Sequence, residues 1–233
     1  MAVVLKFKMI IMRFIVAKLD PRIRNAIKNL YDEIRILRNH NKGVYYVKKR
    51  LDKQRSLRVQ FGCGPERKRG WLNTDIWPGP WATPDICLDA SRKLPFRSNS
   101  VAEIYSEHMF EHLDYPDAVS LFLAECFRVL EIGGVITIGV PDVDIIFERY
   151  RSSMSRNTRE TSILQHSILG HPLEELNFSF HQAGEHKFLY SADFIIDLLF
   201  HFGFSDPHRR EFESSMDSEH RRNETLYVVA LKR

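Results

Sequence analysis

The run Val59-Gln60-Phe61-Gly62-Cys63-Gly64-Pro65 constrains this chain more than any other stretch. An apolar strand ends at Phe61 and breaks into two glycines one residue apart. Without a Cβ the backbone there can turn sharply and come close to a ligand. A lone Gly-x-Gly is a weak signal, since many such pairs are plain turns. Here, however, acids follow in order at the ends of the next short strands. Asp75 closes Leu72-Asn73-Thr74, Asp89 closes Ile86-Cys87-Leu88, and Glu107-His108 follows Val101–Ser106. Taken singly, each acid reads as a loop carboxylate; their joint order points to a nucleotide-type site.

Elsewhere the apolar spacing is helical. Ile23, Ala26, Ile27, Leu30, Ile34 and Leu37 predict an amphipathic helix begun after Asp20-Pro21, then a turn at Asn39–Gly43 and a charged connector over Leu51–Ser56. Helices are expected over Pro116–Leu130, ended by Gly133-Gly134, and over Ser191–Phe202, capped by Ser191 and stopped at Gly203. Val135–Val140 is apolar enough for a strand buried on both faces, and Leu226–Leu231 is expected as a terminal strand. This alternation predicts an α/β fold, Rossmann-like, with a mostly parallel sheet and helices on both faces. Ligands of such sheets sit outside the carboxyl ends of the strands, where the strand order reverses.

Composition narrows the classes further. At 233 residues the chain fits one domain with decorations better than two. The net charge of +4 is modest and comes largely from the basic N-terminal third, which reads as a solvated helix face, so no nucleic-acid partner is expected. Cys63, Cys87 and Cys126 are too few and scattered for a disulfide framework or a zinc knuckle, which fits a reducing, cytoplasmic setting. Val3–Leu19 is apolar but interrupted by Lys6, Lys8, Arg13 and Lys18, too charged for a membrane span and without a signal-peptide cleavage site. Two readings of it stay open: an interfacial helix giving peripheral membrane contact, or an extra element packed on the domain. The expected division is an N-terminal helical extension over 1–50 and a main domain over 51–233, with 150–189 as a lid or substrate insertion.

The ligand can be argued from what the acids and glycines suit. A carboxylate after the second strand can accept both hydroxyls of a ribose, and one after the third can accept from an adenine amino group. A dinucleotide fits poorly. Its fingerprint needs a third small residue where Arg67 stands, its pyrophosphate would meet Glu66, and its acid should come later than Asp75. A ligand with ribose and adenine but no phosphate removes the first two conflicts.

S-adenosylmethionine is such a ligand, and from Leu57 to about Asp142 the chain resembles the class I methyltransferases. Gly62-Cys63-Gly64 is similar to their first motif, and Ser106-Glu107-His108-Met109-Phe110-Glu111-His112-Leu113 to the run ending in Glu-His-Leu of many bacterial members. Arg128-Val129-Leu130-Glu131-Ile132-Gly133-Gly134 resembles the turn usually written Arg-Val-Leu-Lys-Pro-Gly-Gly, with Ile132 in place of proline. The nearest resemblance is to small bacterial methyltransferases often linked to glycan biosynthesis. It implies a seven-stranded sheet whose last strand is antiparallel. It also implies a cofactor-contacting set of Phe61, Gly62, Cys63, Gly64, Asp75, Ile76, Asp89, Ala90 and Glu107. Within that set, Gly62 and Gly64 would meet the methionine part, Asp75 the ribose, and Asp89 with Ala90 the adenine.

Methyl transfer needs alignment of nucleophile and methyl, and a hydroxyl nucleophile also needs a base. His108, at the end of the fourth strand, is the first candidate; Glu111 and His112 read as structural, with Glu111 satisfying the loop of the first strand. The 150–189 segment adds His166, His171, His181 and His186, of which His181 and His186 are further catalytic candidates. No metal is expected, because that pair lacks a cysteine or carboxylate at matching spacing. The expected activity is O-methylation of a hydroxyl-bearing small molecule or glycan precursor. Two alternatives stand beside it: a non-catalytic cofactor-binding or scaffold protein, and a nucleotide-sugar NAD enzyme using a Tyr-x-x-x-Lys pair such as Tyr45 and Lys49.

Overall fold

The strand and helix signals assemble into one seven-stranded sheet in the computed structural model, which describes residues 19–155 and 167–233. The strands are β1 (Leu57–Phe61), β2 (Leu72–Asp75), β3 (Ile86–Cys87), β4 (Val101–Glu107), β5 (Leu130–Pro141), β6 (Ser205–Arg210) and β7 (Thr225–Leu231). Their order across the sheet is β3-β2-β1-β4-β5-β7-β6. β1 to β5 pair in parallel, while β7 lies antiparallel between β5 and β6. From β1 the chain moves outward to β2 and β3, then returns to β4 on the other side. That reversal puts the switch point at the carboxyl end of β1, where Gly62 turns.

Helices α2 (Asp117–Val129) and α5 (Ala192–His201) come from the two clearest amphipathic segments. Phe122, Leu123 and Cys126 of α2 and Ile195 and Leu199 of α5 are fully buried, in one cluster with Phe61, Ile104, Ile138 and Val228. Phe61 and Phe122 meet edge to face, ring centroids 5.3 Å apart, an arrangement that adds about 0.5–1.5 kcal/mol beyond area burial. Ser191 Oγ caps α5 by accepting from Phe194 N at 3.3 Å, as its sequence position predicts. The opposite side of the strands buries a polar layer instead. There Tyr105 OH donates to Asp217, whose carboxylate is held by both terminal nitrogens of Arg210 at 2.6 and 2.7 Å.

Three elements depart from expectation. Helix α1 runs over Pro21–Tyr46 and continues as a π-helical turn over Val47–Leu51, so Asn39–Gly43 is helix rather than turn. The glycine serves close packing: a Cβ on Gly43 would lie 2.2 Å from the Cys87 carbonyl oxygen. His40 on the same helix accepts from Asp89 N at 3.1 Å, which ties α1 to the end of β3. Second, β6 was not foreseen, because Ser205–Arg210 has no apolar alternation and contains Pro207; it is tolerated as an edge strand. Third, α2 stops at Val129 and β5 begins at Leu130, so Gly133-Gly134 lie within the strand rather than ending the helix. Among the described residues no helix is long and apolar enough to cross a membrane. Apart from Leu19, the Val3–Leu19 segment lies outside the described residues, as does His166.

Candidate active site

The chain leaves β1 through Gly62 and Gly64, at φ +67° and +49°, a region that side chains with a Cβ rarely adopt. Asp75, at the end of β2, fastens this turn: Oδ2 accepts from Gly64 N at 2.9 Å and Oδ1 from Trp77 N at 3.2 Å. Each carboxylate oxygen keeps a further lone pair for a ligand hydroxyl. The next residue, Ile76, leaves its apolar side chain 38% exposed beside that carboxylate. A Cβ on Gly64 would meet only the Trp81 carbonyl oxygen at 3.7 Å, so there is room in front of this glycine. At Gly62 the room is already filled, since a Cβ would lie 2.5 Å from Met109 Cβ. A glycine cradle, a carboxylate with spare acceptor capacity and an adjacent apolar side chain fit an adenosyl ligand with a methionine tail.

The other members of the expected cofactor set sit differently. Phe61 is core, packed on Phe122, and Ala90 is buried in the same cluster. Cys63 is buried, and burial followed by the Asp75 charge pushes its thiol up to about 12, so it is no nucleophile. The Asp89 carboxylate is engaged locally, accepting from Ser91 N and Oγ and from Arg92 Nε. Glu107 turns to the polar side of the sheet, where it accepts from Ser218 N at 3.1 Å, Ser218 Oγ and Tyr227 OH at 2.6 Å.

Past β4 the backbone kinks at His108 (φ +51°), whose N–H donates to the Gly139 carbonyl at 2.9 Å. Its Nε2 lies 2.8 Å from Thr225 Oγ1. Burial, reinforced by Arg221 and neighbouring imidazoles, lowers the His108 pKa to about 3, so the ring is neutral at physiological pH. His108 lines a cavity of about 180 Å³ together with Pro141, Ile145, Phe178, Gln182 and His186. Phe178 belongs to helix α4 (Pro172–His181), and Ile145 to α3 (Val143–Ser155). The 150–189 segment thereby brings His186 to His108 but leaves His181 exposed at the end of α4. His171 caps α4 instead, its Nδ1 accepting from Leu173 N.

Glu111 does not satisfy the glycine loop as its sequence position suggested. It is fully buried, and neither carboxylate oxygen has a hydrogen-bond partner among the described residues. Burial raises its pKa to about 8. Three imidazole nitrogens surround Oε1: His108 Nδ1 at 3.7 Å, His112 Nε2 at 3.9 Å and His186 Nε2 at 4.0 Å. Spacing within 150–189 could not reveal this grouping, because its carboxylate comes from the turn after β4. The run His108–His112, dense in titratable groups at a strand end, was the available signal.

The dinucleotide reading loses further ground. No helix follows Gly64, so a pyrophosphate has no helix N-terminus there. Tyr45 and Lys49 bond each other at 2.8 Å on exposed helix surface.

Residues 59–138 match a family model described as a methyltransferase domain. No curated protein matches the chain. Among solved structures it is similar to a SAM-dependent methyltransferase from Archaeoglobus fulgidus, at 15% identity and TM-score 0.48 over 83% of this chain and 94% of that one. A Thermotoga maritima protein described as a possible histamine N-methyltransferase gives 17% identity and TM-score 0.46 over 89% and 96% of the two chains. Phosphoethanolamine N-methyltransferase 2 of Haemonchus contortus, solved with S-adenosyl-L-methionine, gives 11% and 0.44 over 82% and 52%. These distant likenesses carry nothing about substrate. The family match, by contrast, spans the glycine turn, Asp75, Asp89, His108 and Glu111. Residues 59–138 therefore match a methyltransferase domain, set in a Rossmann-like seven-stranded sheet.

Proposed function

We propose that the chain methylates a hydroxyl oxygen of a small molecule or glycan precursor held in the cavity beside His108. The carrying observation is the lining of that cavity. Polar His108, Arg149, Ser179, Gln182, His186 and Glu224 line it together with apolar residues such as Ile145 and Phe178. Such a mixture suits a polyol, which offers hydroxyls at its rim and an apolar ring face to an aromatic side chain. The bound cofactor supplies an electrophilic methyl group on a sulfonium. Gly64 would give its methionine part room while Gly62 shapes the turn against Met109, Asp75 would accept from the ribose, and Ile76 and the Asp89-Ala90 turn would flank the adenine. His108, neutral within the cavity, would take the hydroxyl proton as the oxygen–methyl bond forms and the sulfonium is released as a thioether, when that proton has become strongly acidic. Residues 150–189, which contribute Phe178, Ser179, Gln182 and His186, serve as the lid.

Methyl-labelled cofactor incubated with a panel of sugars, lipids and small acids tests this. Label is expected on an oxygen of a hydroxyl-bearing acceptor. Label on nitrogen or carbon would overturn the hydroxyl assignment, and cofactor binding with no turnover on any acceptor would favour a binding or scaffold protein.

A further inference from the structure

We propose that Glu111, His112 and His186 form a binding site for a divalent first-row transition cation of the zinc type. One ligand atom from each of these side chains lies within 4.8 Å of the others. Two ligands at tetrahedral angles around one zinc stand about 3.4 Å apart; the Glu111 Oε1 distances of 3.9 and 4.0 Å to His112 and His186 need to close by about half an ångström, through small side-chain rotations. The tautomers also suit a cation. His186 Nδ1 lies 2.9 Å from the Ser179 carbonyl oxygen, and His112 Nδ1 lies 3.2 Å from that of Glu185. A carbonyl only accepts, so both Nδ1 atoms carry the proton and both Nε2 lone pairs point toward the Glu111 carboxylate. Imidazoles that ligate metals are held in this way, by a second hydrogen bond through the other nitrogen.

Three potential ligands thus face one another, with Glu111 fully buried and neither of its side-chain oxygens hydrogen-bonded. Leaving a buried polar group unsatisfied is unfavourable, and among the described residues no Lys or Arg forms an ion pair with Glu111. A cation at the centre removes that cost. Two imidazoles and one carboxylate select zinc-type ions over magnesium or calcium, which take all-oxygen shells. His108 stays on the cavity side, engaged with Thr225 through Nε2.

The ligands come from two separate segments: Glu111 and His112 from the turn after β4, His186 from the chain after α4. Backbone bonds already join these segments, with Lys187 N donating to the Glu111 carbonyl at 2.8 Å. The cation would fasten the lid segment to the strand end through His186, which also lines the acceptor cavity. Neither the acceptor nor the methyl-transfer chemistry enters this inference.

The test uses tag-free, chelator-stripped protein titrated with Co²⁺ as a spectroscopic stand-in for zinc. One equivalent per chain should give visible ligand-field bands that zinc abolishes, and zinc should raise the thermal midpoint of the parent chain. Glu111→Gln, His112→Ala and His186→Ala should each lose the bands, while His181→Ala, on exposed surface, keeps them. Circular dichroism establishes that each variant is folded. Absence of both the bands and the thermal shift in the parent, or bands that persist in folded His112→Ala and His186→Ala, overturns the assignment.

Discussion

Replacing His108 is expected to lower turnover by about 10²–10⁴-fold, the usual range for a general base, with S-adenosylmethionine affinity nearly unchanged. Asparagine is the better replacement than alanine. His108 sits at φ +51°, where asparagine is among the better-tolerated residues. His108→Asn therefore removes proton acceptance while sparing the backbone. Turnover assays with paired calorimetry on the cofactor separate the two effects. Parental turnover in a folded variant would dismiss His108.

The second large effect belongs to Gly62. Gly62→Val should abolish measurable cofactor binding and lower the thermal midpoint. A Cβ there would come within 2.5 and 2.6 Å of Met109 Cβ and Cγ. These atoms lie close to the Met109 backbone, so a rotamer change at the far end of the side chain does not relieve the clash. The β-branched side chain also meets a backbone at φ +67°, where strain is on the order of 1–3 kcal/mol. The turn must reshape, and with it the bond from Gly64 N to Asp75. Gly64→Ala is the milder comparison, because its Cβ would find no atom closer than 3.7 Å. Calorimetry and thermal melts on both variants check this; undiminished affinity in folded Gly62→Val would place the cofactor elsewhere.

Much of this site was legible because each strand end carries its own signal. The glycine turn after Phe61, the acid closing β2, and the Ser191 and Gly203 boundaries of α5 all follow from local chemistry. What stayed hidden depended on distant packing. Asn39–Gly43 looks like a turn from composition, yet tertiary contact with Cys87 keeps it helical and uses the glycine for approach. Glu107 follows Tyr105 with the two-residue period of a strand, so its turn toward Ser218 and Tyr227 was available from alternation, but the motif resemblance outweighed it. The Glu111–His112–His186 grouping joins two segments far apart in sequence, and no spacing within either announces it.

Isothermal calorimetry of the purified chain tests most directly whether the end of β1 and β2 takes an adenosyl cofactor without phosphate. The parent should bind S-adenosylmethionine or its demethylated product at one per chain and show little affinity for NAD. Asp75→Ala should weaken that binding by about 1.5–3 kcal/mol, the range for a hydrogen bond to a charged group. NAD binding without S-adenosylmethionine binding, or an Asp75→Ala variant that binds like the parent, would contradict the account.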